Sequence, residues 1–328
     1  MRDCLNTVPH FYFPYRYLLL YKNNNFNNNI TDMKYLKKFS TTAEYNAYTA
    51  DTANFILPNV SLCEDTKGVY YNPEHDYSKD YFTMVVTVGG DIKWSGSTIE
   101  NTLSYSKDNG DNWSAATSAD TISVEAGDKV LWKGTPTPQL NKGIGKFSGA
   151  TDVRYSVEGN AMSLLFGDDF KTQTSLEDKD YALYKLFSGS TNVTSAENLS
   201  LPATTLAERC YLYMFQGCTS LTTAPELPAT TLASGCYNQM FYNCTSLTTA
   251  PELPATTLAN YCYQFMFSGC RSLSSIKCLA TNISANGCTS NWVNGVASSG
   301  TFTKAASMSS WTTGTSGIPN GWGVQDAA

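Results

Sequence analysis

Ten cysteines and two histidines are the residues of this 328-residue chain whose types are best suited to metal ligation or nucleophilic chemistry. His10 and His75 stand far apart, which removes most designs that need an imidazole as base or ligand. The cysteines contain no C-x-x-C pair, and no histidine accompanies Cys210, Cys218, Cys236, Cys244, Cys262, Cys270 or Cys288, so a zinc site is disfavoured. In NKGIGKF (141–147), Gly145-Lys146 lies where a phosphate-binding loop would place Gly-Lys. Phe147, however, replaces the required Ser or Thr, and Leu140 the first glycine. Asp108, Gly110 and Asn112 do not make a calcium loop, whose third position must supply an oxygen. Asp168-Asp169 is a carboxylate pair, but adjacent acids in FGDDF suit the start of a helix or turn better than acid-base work. No catalytic residue, metal or cofactor is expected.

One motif does have a definite local geometry. SKDNGDNW (106–113) has the form S-x-D-x-G-x-x-W of the Asp-box hairpin, in which the aspartate caps the turn and the tryptophan packs beneath it; Asn112 stands where Thr is usual. Sialidases carry several such boxes, where they are structural, and hold their substrate with three converging arginines. This chain has one box and five scattered arginines, so a glycoside hydrolase of that type ranks last among the functions weighed.

Charge narrows the partners. Lys and Arg total 22 against 28 Asp and Glu, and no basic cluster exists to neutralise a row of phosphates, so nucleic acid is not an expected partner. From residue 201 onward acids and bases balance, which places the whole net charge of −6 on the first 200 residues. No stretch approaches the 18 or so apolar residues of a membrane span. FYFPYRYLLLY (11–21) is broken by Pro14 and Arg16 and does not read as a signal peptide. YKNNNFNNNITD (21–32) is low in complexity, and two readings stay open: a flexible arm, or an extension of the frame upstream of a true start at Met33.

These features give an expected organisation. Residues 1–32 form a leader or frame extension. Residues 33–77 form an attachment segment in which Thr41 and Glu44 make a capping box before a short helix over about 42–52. Residues 78–160 alternate as strands: Ile92/Trp94, Ile122/Val124/Ala126 and Val130/Trp132 turn inward, and Ala126-Gly127-Asp128 makes the last two a hairpin. An immunoglobulin-like β-sandwich is therefore expected. Residues 161–200 cap a repeat array at its start, 201–278 form the array, and 279–328 cap its end.

The array is plain in the sequence. Residues 201–226, 227–252 and 253–278 align without gaps at a period of 26, with a degenerate copy over 181–202 and another that starts at 279 and breaks off near Cys288. Leu206, Ala207, Cys210, Tyr211, Met214, Phe215 and Cys218 recur identically in the next two copies, a spacing that predicts the buried stripe of a helix. SLTTAPELP then supplies a short strand and a turn, giving a mixed architecture that ends in an α/β solenoid. Cysteines eight apart on a helix are about 12 Å distant and cannot bridge, so the repeat cysteines read as reduced core fillers. The opposite stripe varies from copy to copy. Arg209, Tyr213, Gln239, Tyr242, Tyr261, Gln264 and Phe265 make up its candidate binding face. Free drift of solvent-facing positions accounts for variety, but does not favour so many aromatics.

The pattern MFxxCTSLTTAPELPATTLAxxCY, over about 181–288, resembles the BspA-like subclass of leucine-rich repeats found in Bacteroides and their phages. MSLLFGDDF (162–170) and GIPNGWGVQDA (317–327) are similar to the flanks of such proteins, and 34–73 more weakly to an attachment module of Bacteroides surface and phage appendage proteins. The resemblance implies a non-enzymatic adhesion protein that recognises a host-surface protein or glycan. It also implies virion or cell-surface contacts through 33–77, with a structural virion appendage as the alternative.

Overall fold

The computed structural model describes residues 76–96 and 103–327, together with two strand segments, β1 (Arg16–Leu20) and β2 (Tyr35–Phe39). The chain divides into two compact units, Met1–Pro73 and Glu74–Ala328. In the first, β1 and β2 pair antiparallel from Arg16 opposite Phe39 to Leu20 opposite Tyr35, joining residues on either side of the expected boundary at 32/33. The capping box at Thr41 and its helix lie outside the described residues.

The second unit is mostly β, with several sheets and, among its described residues, one short α-helix, Ser163–Phe166. β3 (Phe82–Val88), β5 (Leu103–Ser106), β6 (Ser114–Ala115), β8 (Lys129–Gly134) and β10 (Arg154–Asn160) form one antiparallel run in the order β10-β3-β8-β5-β6. β4 (Gly90–Gly96), β7 (Ile122–Val124) and β9 (Gly145–Gly149) form a second sheet in the order β7-β4-β9. Alternation works as expected in Ile92, Trp94, Ile122, Val124, Val130 and Trp132, all buried, while Ala126 is exposed in its turn. The apolar faces of the two sheets meet ring to ring, Phe147 of β9 lying 4.8 Å from Trp132 of β8 and 5.7 Å from Phe82 of β3.

The expected hairpin of β7 with β8 does not form. β7 pairs with β4 and β8 with β3 and β5, so the corner between them carries the chain from one sheet to the other. The corner is fixed by β3: Gly127 N donates to Val86 O at 2.9 Å, and Val86 N donates to Asp128 O at 2.9 Å. A backbone already paired with β3 in this way cannot close a two-strand hairpin.

The repeats contain no helix, which corrects the α/β expectation for 201–278. Within each copy the N–H groups alternate between two kinds of partner. Leu212, Met214, Gln216 and Cys218 donate back to the carbonyl three residues earlier, at 3.0–3.1 Å, as successive turns do. Arg209, Tyr211, Tyr213, Phe215 and Gly217 donate instead across to Ser234, Cys236, Asn238, Met240 and Tyr242 of the next copy, at 2.7–3.1 Å. Every fourth residue is held at positive φ: Arg209, Tyr213 and Gly217, then Gly235, Gln239 and Asn243, then Tyr261, Phe265 and Gly269. A helix requires negative φ throughout, so this ribbon of turns replaces it and shares its hydrogen bonds between layers. The repeated stripe is nonetheless buried in the first copy, Leu206, Ala207, Cys210, Tyr211, Met214, Phe215 and Cys218 being at most 9% exposed, while its members Leu232, Ala233 and Ala259 in the later copies are partly buried. Its members come as neighbouring pairs every four residues, the period of the ribbon.

The layers extend beyond the three clear copies. Tyr181, Leu183, Lys185, Phe187 and Gly189 of the degenerate copy donate to Glu208, Cys210, Leu212, Met214 and Gln216. The downstream copy does not break off near Cys288: Tyr261 through Gly269 donate into it as far as Asn294. Below the stack, β10 pairs in parallel with β11 (Val193–Ser195) and β12 (Leu199–Ser200), so the large sheet supplies the edge on which the first layers build. At the other end β13 (Ser275–Cys278), β14 (Thr301–Lys304) and β15 (Gly323–Asp326) form a parallel sheet in which all four residues of β15 are exposed.

One core runs through both parts. Phe147, Phe187, Phe215, Phe241 and Phe267 stack in sequence with centroids 5.2–5.8 Å apart. Tyr211, Tyr237 and Tyr263 form a second column at 5.6 and 6.2 Å. Trp292 closes both, 6.3 Å from Phe267 and 6.2 Å from Tyr263. Eight cysteines between Cys210 and Cys288 are buried and free. With the helix gone, their separation along it no longer accounts for their being unbridged. Cys244 Sγ donates to Phe215 O and Cys270 Sγ to Phe241 O, each at 3.0 Å, so the thiols fill space and tie layers together. Burial pushes the Cys210 thiol up to about 12.

Candidate functional site

The outward rows of the ribbon are the surface built from the varying positions. Most of the positions 208/209, 212/213 and 216/217 and their equivalents in later layers are exposed or half-buried; Leu212, expected to face solvent, is buried at 7% exposure, as are Gly235 and Ser268. All seven sequence candidates fall on these rows and are half-buried. Arg209 and Tyr261 share one row. Tyr213, Gln239 and Phe265 share the next, with Gln264 beside Phe265, and Tyr242 belongs to the third.

Local backbone explains how large side chains fit. Arg209 lies against Gly235 of the next layer, where a Cβ would stand 3.1 Å from its Cγ. Tyr261 lies over Gly287 in the same way, with a Cβ there 2.7 Å from its ring. Large residues in one layer thus use the missing side chain of the layer above, and lie along the stack instead of projecting from it.

Polar groups link several candidates. Gln239 Nε2 donates to the Tyr213 hydroxyl at 3.0 Å and to Asn238 Oδ1 at 3.2 Å, and Asn238 Nδ2 donates to Gln264 Oε1 at 3.0 Å. The Arg209 guanidinium pairs with Glu208 at 2.6 Å and donates to the Tyr181 hydroxyl at 2.8 Å. Tyr261 accepts from Asn286. Tyr213, Gln239 and Gln264 are therefore joined in one chain through Asn238, while Arg209 and Tyr261 belong to separate contacts.

The structure adds residues that the sequence left in a cap. Tyr184 stands edge-on to both Tyr181, at 5.6 Å, and Tyr213, at 5.8 Å. Lys185 Nζ lies 5.0 Å from the Tyr184 ring centre and 5.3 Å from that of Tyr213. Among the described residues no carboxylate pairs with Lys185. The turn Gln139–Gly143 abuts this end of the face: Gly143 approaches Tyr181 and Tyr184, and Leu140 stands 71% exposed. The signal that would have found Tyr184 and Lys185 is their place in the four-residue period, since Tyr181, Lys185 and Gly189 repeat the positive φ of Arg209, Tyr213 and Gly217.

The other motifs are structural in their surroundings. Asp108 Oδ1 accepts from Asn112 N at 2.9 Å and from the Ser106 hydroxyl at 2.7 Å, and Trp113 Nε1 donates to Gly110 O at 3.0 Å, closing the turn between β5 and β6. Those bonds hold the Asp108 carboxyl down at about 2. Asp168 sits in the first turn of the 3-10 segment Gly167–Thr172. It accepts from Lys133 at 2.8 Å and from the Tyr81 hydroxyl at 2.6 Å, and Lys133 in turn covers the Trp113 ring at 4.2 Å. Lys133, then Tyr81, keep the Asp168 carboxyl below its usual range, while burial, followed by Asp168 itself, pushes the Tyr81 hydroxyl up to about 12. Among the described residues no group of three His, Cys, Asp or Glu is placed to hold a metal, and no helix is long and apolar enough to cross a membrane. No protein-family model, no curated protein and no solved structure matches the chain.

Proposed function

We propose that this is a non-enzymatic recognition protein of a bacterial or phage surface. Its stack is a solenoid of BspA-like leucine-rich repeats, set on an immunoglobulin-like β-sandwich, and it binds a host-surface protein or glycan through the outward rows. One observation carries the reading. Along the row Lys185, Tyr213, Gln239, Phe265 and Asn291, every residue sits at positive φ and none is glycine, whereas the row Gly189, Gly217, Asn243, Gly269 and Gly295, under the same backbone demand, uses only glycine and asparagine. Bulky residues in the left-handed region cost on the order of 1 kcal/mol each, and such strain gathers where a side chain is needed for contact. Drift alone would relax the first row toward the composition of the second.

The test replaces Tyr213, Tyr242, Tyr261 and Phe265 together with Ser and measures binding to host-surface extract beside the melting temperature. The reading expects binding lost with Tm nearly unchanged. Binding that survives, with loss on placing bulky charges at Thr222, Thr223, Thr248 and Thr249, would move the site to the threonine face. The second reading, a structural virion appendage, is favoured by β15, whose exposed edge offers unpaired backbone groups for end-on assembly. Residues 33–77 keep their proposed role in attachment.

A further inference from the structure

We propose that the first layers of this face form a subsite for a carboxylated saccharide, a polymer of uronic-acid type. Its sugar rings stack on Tyr213 and Tyr184, and its carboxylate meets Lys185. The inference rests on the recognition reading and names its ligand chemistry.

Three observations meet here. The first is charge. Lys185 has no carboxylate partner among the described residues, and its ammonium is held against two tyrosine rings, at 5.0 and 5.3 Å. Of the other cations at this end, Arg209 is neutralised by Glu208, and Lys142 is exposed in the abutting turn. Lys171 and Lys179 likewise lie over a ring without a carboxylate pair among the described residues, but each meets a single ring, whereas Lys185 lies against two, an arrangement that selects an anion over a neutral sugar. The second is shape: Tyr184 and Tyr213 meet edge to face, so their planes form the two walls of a corner with Lys185 between them. Aromatic faces receive the C–H faces of pyranose rings, and Gln239, bonded to the Tyr213 hydroxyl at 3.0 Å, places an amide beside that wall for sugar hydroxyls. The third is strain. Lys185 at φ 56 and Tyr213 at φ 60 both hold side chains where the equivalent residue two layers beyond Gln239 is Asn291, at φ 51. Asparagine is therefore accepted by this backbone, and the larger residues are retained at a conformational cost.

A protein partner with acidic side chains would satisfy the cation but leave the aromatic corner unfilled, which is why the saccharide is preferred.

The experiment titrates the full chain with polygalacturonate, with the same polymer methyl-esterified, and with polyglutamate, by calorimetry at low and high salt. Polygalacturonate is expected to bind, with binding weakened by salt and by esterification. Lys185→Asn should weaken it about tenfold or more, as loss of a charge-assisted bond, and Tyr213→Asn about fivefold to tenfold, as loss of a stacking face. Both variants should keep or raise the wild-type Tm, since asparagine suits the backbone there. Equal affinity for the ester, stronger binding of polyglutamate, or wild-type affinity in both variants would overturn the inference. If polygalacturonate fails to bind while surface extract still binds through Tyr242, Tyr261 and Phe265, the subsite falls and the recognition reading stands. If both fail, both fall.

Discussion

Replacing Phe241 with Ala removes an interior ring of the longer aromatic column, the one in the middle clear copy. Phe241 is fully buried, 5.7 Å from Phe215 on one side and 5.8 Å from Phe267 on the other, with planes within 4° of parallel in both pairs. The backbone around it is committed twice over, since Phe241 N donates to Met266 O at 3.0 Å and its carbonyl accepts from the Cys270 thiol. Layers held in this register cannot close over the void, so the cost should sit at the full large-to-small value of about 3–5 kcal/mol. For a unit of this size that is a fall in Tm of roughly 6–20 °C. Tyr242→Ala, one residue along on the outward rows, should cost within about 0.5 kcal/mol. Urea unfolding followed by tryptophan fluorescence reports both, because Trp292 closes the column at its far end. A loss below about 1 kcal/mol for Phe241→Ala, or equal losses at the two sites, would refute the two-sided ribbon.

Three further outcomes follow from the core and the turns. The Tyr155 hydroxyl is buried without a hydrogen-bond partner, its neighbour Ser190 being engaged with Asn192, so Tyr155→Phe should leave Tm unchanged or raise it; a loss above about 1 kcal/mol would reveal a bond to Ser190. A thiol-reactive dye should label the eight buried cysteines slowly in the native protein and fully in denaturant, and native disulfides among them, seen by mass spectrometry, would contradict this. Asp108 is held down at about 2 by Ser106 and Asn112, so its stabilisation is present above the ordinary carboxylate range near about pH 4 and is lost as pH falls through 2. The Tm gap between wild type and Asp108→Asn should therefore be full at neutral pH and close toward pH 2, and a gap that persists unchanged would show that the charge is not what matters.

The inward residues of the repeats were legible because identity between copies marks them directly. Leu206, Cys210, Met214 and Phe215 are buried whatever backbone carries them. The backbone itself was masked by a near coincidence of periods. Pairs recurring every four residues lie close to a helix's 3.6, and over the dozen residues of one copy the two patterns drift apart by only about a third of a turn. The discriminating sign was the third member of each positive-φ series, Gly217, Asn243 and Gly269, which repeat at a position where a helix would not want them. Strand alternation found the inward faces of β4, β7 and β8, but not which sheet each joins, because the bonds of Gly127 and Asp128 to Val86 are long-range. Tyr184 and Lys185 escaped for a different reason: the degenerate copy has Ala182 and Ser190 where the clear copies have Cys210 and Cys218, so its layer is masked as a cap.

In this stack each layer offers above what it accepts from below. The five donors of 201–226 find the same acceptors in 227–252 that the donors of 227–252 find in 253–278. The backbone joints of the copies are consequently interchangeable, although side chains such as Arg209 over Gly235 and Tyr261 over Gly287 suit particular neighbours; a copy gained or lost in the gene would leave β10 to open the array and Trp292 to shut it. Length then becomes a quantity that inheritance can adjust in fixed steps, about 4.8 Å for each copy. The protein behaves as a ruler whose graduations can be added without redrawing either end.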